Sequence, residues 1–124
     1  MARYTGLFVV DVDAPIERLR GFLTEILKSC RFDIIYETAD YLMAREIPGK
    51  VSFSQLVTVE VLIDKPIDPG QEIRMNVVIK NEELPLKREN HCKQMFDSVT
   101  RAIADNDKWK DRNNRWQLLE TVAG

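Results

Sequence analysis

Apolar positions change their period several times along this chain, and each change marks an element. In "TGLFVVDV", residues 5 to 12, β-branched and aromatic side chains predict a strand. Ile16, Leu19, Phe22, Leu23, Ile26, Leu27 and Cys30 then recur at three- and four-residue spacing. That spacing places them on one face of a helix of about four turns. Asp13 is its expected N-cap, and Pro15 presets φ in the first turn. Glu17, Arg18, Arg20, Glu25 and Lys28 occupy the opposite face, and Gly21 weakens the pattern by up to ~1 kcal/mol relative to Ala.

The period then shortens to two. Phe32, Ile34 and Tyr36 alternate with polar residues, residues 38 to 40 read as a turn, and residues 41 to 46 return as the second arm of a hairpin. The Pro-Gly pair of "IPGK" breaks the chain. Phe53, Val57, Val59, Val61 and Ile63 are expected on one face of a long strand, with Gln55 as the exception. "DKPIDPGQ" is a turn, and Ile73, Met75, Val77 and Ile79 define a fifth strand. After "NEELPLKR" the helical period returns through Cys92, Met95, Phe96, Val99, Ala102 and Ile103.

The predicted order is β-α-β-β-β-β-α, an α+β fold. Strands 2 to 5 form a meander, and alternating chain direction makes strand 1 antiparallel to strand 5. The result is a five-stranded antiparallel sheet of order 1-5-4-3-2, with both helices on one face. Residues 1–108 form this single domain, and residues 109–124 are a C-terminal tail. In that order strand 1 is a sheet edge.

The element order over residues 5 to 105 resembles the TATA-box-binding-protein-like, or helix-grip, folds, the group that includes START and polyketide-cyclase-like proteins. The resemblance implies a fold and carries no signature residues. "YTGLFVVDV", "YLMAREIPG" and "NEELPL" are similar to segments of a small uncharacterised cyanobacterial protein, which implies a lineage and no activity.

Composition adds limits. The 124 residues allow one core. A net charge of −2 gives no long-range attraction for phosphate backbones, so no nucleic-acid partner is expected. The apolar N-terminal run ends at Asp11 and Asp13, too short for a secretion signal or for a membrane span of roughly 20 residues. Two cysteines without such a signal imply free thiols and a cytoplasmic location. Lys87, Arg88, Lys93, Arg101, Lys108, Lys110, Arg112 and Arg115 are interleaved with acids, the pattern of a mixed solvated face.

The only histidine, His91, stands beside Cys92. Neighbours on a helix point ~100° apart, so the two do not readily share a proton or a metal. Cys92 lies on the apolar stripe, where cysteine acts as a small hydrophobe. His91, at the stripe's border, reads as a partly buried residue or a hydrogen-bond partner of "NEEL". A zinc site with Cys30 would lack ligands, and the glycines fall into no phosphate-binding motif. No cofactor and no enzymatic activity are expected, because no acid, base and nucleophile converge in the pattern.

The outer sheet face is more informative. Leu7, Val9, Leu62 and Val78 oppose the core face, as do Leu42, Ile35 and Leu56. Apolar residues there suggest cover by the tail or by another chain, with an ordinary scatter of exposed aliphatics as the plain alternative. Glu82 and Glu83, ahead of Pro85, are loop carboxylates suited to a cation or a basic partner, though a solvated loop is the plainer account. The expected function is a non-enzymatic binding or adaptor module for a protein partner or a second copy. It would use Leu7, Val9, Leu62, Val78, Glu82 and Glu83, with the "ETADYLMARE" and "NEELPL" segments. The alternative is a small carrier of an apolar ligand, its pocket lined by Tyr36, Phe53, Met75, Met95, Phe96 and Val99.

Overall fold

The computed structural model describes residues 2–11, 16–64, 73–83, 90–105 and 115–123, the last through their backbone. The elements are β1 (Ala2–Asp11), α1 (Ile16–Ser29), β2 (Phe32–Glu37), β3 (Tyr41–Glu46), a 3-10 turn (Phe53–Gln55), β4 (Thr58–Asp64), β5 (Ile73–Asn81), α2 (His91–Ala104) and β6 (Arg115–Ala123). The expected cap at Asp13 and Pro15 and most of the "DKPIDPGQ" turn lie outside the described residues, as do residues 84–89.

Strands β2, β3, β4, β5 and β1 lie side by side in that order, all antiparallel, which is the predicted 1-5-4-3-2 sheet. A sixth strand extends it. β6 pairs antiparallel with β1, from Tyr4 opposite Ala123 to Asp11 opposite Arg115. β1 is therefore an inner strand, and the expectation that it forms an edge is corrected. The sequence hides β6 because its register shifts between Leu7 and Phe8 of β1, opposite Glu120 and Leu118, leaving Leu119 as an extra residue. One inserted residue breaks the two-residue period, so Leu118 and Leu119 do not read as a strand.

Alternation along the strands sets the core. Ala2, Tyr4, Phe8, Leu42, Ala44, Val59, Val61, Ile63, Met75, Val77 and Ile79 point to the helical face and are buried. Leu19, Leu23, Ile26 and Leu27 of α1 and Cys92, Phe96, Val99 and Ile103 of α2 cover them. α1 packs on β2, whereas α2 lies over β1 and β5. Phe96 accordingly stacks on Tyr4 of β1, ring centroids 5.6 Å apart. The apolar stripe of α2 has the predicted phase, with Arg101 exposed.

Arg31 closes α1 with φ of 70°, the left-handed conformation that commonly ends a helix. Its carbonyl accepts from the Ile47 N–H at 2.9 Å, which anchors the end of β3 to the helix terminus.

Candidate functional site

Two places concentrate unusual side chains: a buried polar cluster where α2 begins, and the outer face of the sheet toward β2. The cluster starts from Glu46, whose position continues the inward alternation of Leu42 and Ala44. A carboxylate at a core position requires partners. Glu46 finds two: its Oε1 accepts from the Val57 N–H at 3.1 Å, and His91 Nε2 lies 2.8 Å from both carboxylate oxygens. A carboxylate only accepts, so Nε2 carries the proton.

Next to this pair, Glu83 meets the first turn of α2. Its Oε1 accepts from Asn81 Nδ2 at 2.6 Å and from the Cys92 N–H at 3.1 Å. Burial would raise the Glu83 pKa. The Asn81 amide, the Cys92 and His91 backbone N–H groups and the Gln55 side chain outweigh burial and hold it below the usual value. Asn81 Nδ2 also donates to the Gln55 carbonyl at 3.0 Å. Asn90 caps α2, accepting from the Lys93 N–H at 2.6 Å, while its amide donates to the Tyr4 hydroxyl at 3.0 Å.

His91 and Cys92 diverge, as their helical offset requires. The Cys92 thiol turns into the core, 3.4 Å from the Ile79 carbonyl, and burial followed by the Glu83 charge pushes its pKa up to about 12. It is a protonated core thiol and not a nucleophile. Among the described residues, no three His, Cys, Asp or Glu side chains converge as metal ligands. The cluster does mechanical work. Through Glu46 and Asn81 it ties residues 47–57 to the sheet and to α2.

The outer face differs from its expected form. Val9 and Val78 are on it but buried, Leu7 is half-buried, and Leu62 is exposed. Asn76 stands between Leu7 and Leu62, and Val78 lies between Thr5 and Glu60, so these four residues form no contiguous apolar patch. Glu82 is exposed, whereas Glu83 is buried in the cluster. An exposed patch exists further toward β2. Tyr36 is 58% exposed and Leu62 42%. Tyr41 links them, its ring edge-on to Tyr36 at 6.0 Å and its backbone directly opposite Leu62. Met43 stands opposite both Tyr36 and Glu60.

Tyr36 reaches this face because the register of β2 shifts between Ile34 and Tyr36: Ile34 opposes Ala44, but Tyr36 opposes Met43. Without the bulge, alternation would put Tyr36 inside, where the pocket reading placed it. A polar chain borders the patch. Glu60 is ion-paired with Lys80 at 2.6 Å and also bonds the Tyr41 side chain. Lys80 holds the Glu60 pKa down, and burial followed by the Glu60 charge raises that of Tyr41.

The six residues expected around a ligand pocket do not line one cavity. Met75, Phe96 and Val99 are packed core, Met95 is half-buried against it, and Tyr36 is on the outer face. Phe53 sits on the 3-10 turn ahead of β4, 85% exposed, and not on a strand. No helix among the described residues is long and apolar enough to cross a membrane. Comparison with known proteins finds no matching family model, no significantly similar curated protein and no significantly similar solved structure, so the functional reading rests on the chain's own residues.

Proposed function

We propose that the chain is a non-enzymatic protein-binding module that engages its partner through the outer sheet face at Tyr36, Tyr41 and Leu62. The observation that carries this reading is the exposure of Tyr36 and Leu62 on either side of Tyr41. Folding gains little from apolar side chains left in water, whereas a partner covering them gains about 25 cal/mol per Å² of apolar area. Tyrosines suit such a surface because their rings are rigid and their hydroxyls stay hydrogen-bonded at the rim. Tyr41 is already oriented by Glu60, and Glu60 by Lys80, so little ordering remains for binding to impose.

The expected patch at Leu7, Val9 and Val78 gives way in this proposal to one that retains Leu62 and moves toward β2. The test is Tyr36→Lys with Leu62→Lys, beside Arg101→Glu on the exposed face of α2. Partners isolated with the wild type should be lost from the double variant, an affinity decrease of at least about tenfold. Arg101→Glu should retain them. Equal retention by all three proteins would place the binding surface elsewhere.

A further inference from the structure

At the far end of the sheet, residues 47–57 link β3 to β4 and display Phe53, which is 85% exposed. The loop is held firmly. Gln55 Oε1 accepts from the Ser52 N–H at 3.3 Å and from the Ser52 hydroxyl at 3.0 Å, while the Gln55 N–H donates to the Ser52 carbonyl. The Leu56 N–H donates to Phe53, and the Glu82 N–H to Ser54. Asn81 Nδ2 holds the Gln55 carbonyl, and Glu46 holds the Val57 N–H while pairing with His91. Much of the buried polar cluster thus fixes the backbone beneath one aromatic ring that packs into no core.

Beside the ring lies a concavity of about 570 Å³ whose apolar lining includes Val51 and Leu56, with Phe53 itself at its wall. A knob and a hollow adjacent on one surface form a self-complementary pair. A twofold axis between two copies fills both hollows with both knobs at once. The charges suit the same arrangement. Lys50 is the only charged residue of the loop, and Glu82, exposed and bonded through its N–H to Ser54, has the opposite sign. A lipid surface fits less well, since one lysine on a chain of net charge −2 attracts an anionic membrane weakly.

We infer that two copies of this chain associate through residues 47–57, the Phe53 ring of each entering the Val51–Leu56 hollow of the other. This surface lies at the opposite end of β3 from Tyr41, roughly 17 Å away at ~3.4 Å per residue, and does not depend on the binding face proposed above. An interface built from one loop and its surroundings is small, so the dimer is weak and concentration-dependent.

Sedimentation velocity from micromolar to millimolar concentration tests it. The wild-type weight-average mass should rise toward twice the chain mass, and Phe53→Asp should remain monomeric, a dissociation constant raised at least about tenfold. Phe53 makes no core contact, so circular dichroism should show the variant folded. Lys50→Glu and Glu82→Lys should each weaken the dimer, and the two together should restore it. Tyr36→Lys with Leu62→Lys should dimerise as the wild type does. A wild type monomeric throughout, with Phe53 then serving another partner, overturns the inference. So does a dimer indifferent to Phe53→Asp, or charge variants without mutual rescue.

Discussion

His91 and Glu46, 45 positions apart in the chain, meet at 2.8 Å and join the first residue of α2 to the last residue of β3. Both are largely shielded from water, so removing the imidazole leaves a buried carboxylate with the Val57 N–H as its remaining donor among the described residues. His91→Ala should therefore cost about 3 kcal/mol, and His91→Gln, which restores a donor, distinctly less. Urea unfolding of the two variants checks the order. Equal and negligible costs would mean that the pair does not hold the loop.

Glu83 makes stability depend on acid. Its folded pKa is held below the ordinary glutamate value of 4.5, so its contribution is complete above that value and is lost as pH falls through the folded pKa. Glu83→Gln should be less stable than the wild type at neutral pH, and the gap in Tm should close as the solution is acidified below 4.5. A gap that stays constant with pH would exclude this linkage.

The two thiols should react in a fixed order. Cys92, with its pKa pushed up to about 12, is almost wholly protonated at pH values near 8 and sealed in the core. Cys30 is half-buried, and its pKa is raised chiefly by burial, with the Ser29 hydrogen bond opposing. Iodoacetamide should alkylate Cys30 in the native protein and Cys92 only on unfolding, as read by peptide mass spectrometry. Native alkylation of Cys92 would contradict its placement.

Two surface changes should stabilise the fold. At Gly21, on the exposed side of α1, an added Cβ meets nothing within 4 Å, so Gly21→Ala should gain up to ~1 kcal/mol through helix propensity. Arg31→Gly should relieve the left-handed backbone by about 1 kcal/mol. A rise in Tm for each is the expected reading.

Where the two-residue and 3.6-residue periods run unbroken, the sequence carries the architecture. β4 and β5 and both helical stripes follow directly from Val59 to Ile63, Ile73 to Ile79, Leu19 to Leu27 and Cys92 to Ile103. Features that depend on a break in period were illegible: Leu119 conceals β6, and the shift after Ile34 turns Tyr36 outward. Phe53 shares the parity of Val57, but the chain coils into a 3-10 turn before β4 begins. One signal for the polar cluster was present, a glutamate at position 46 in phase with Ala44 and with Leu42, which lies in the core and not on the outer face where it was expected. Its partner was unreadable, because no local pattern relates position 46 to His91.

Photo-crosslinking in cells that make the protein probes the proposed protein-binding face at Tyr36, Tyr41 and Leu62. A benzophenone amino acid placed at Leu62 should trap a discrete covalent adduct, and the same residue at Arg101 should not. The Leu62 adduct should fade when Tyr36→Lys is added. No adduct at Leu62, or equal trapping at both positions, would mean that this face does not bind a partner.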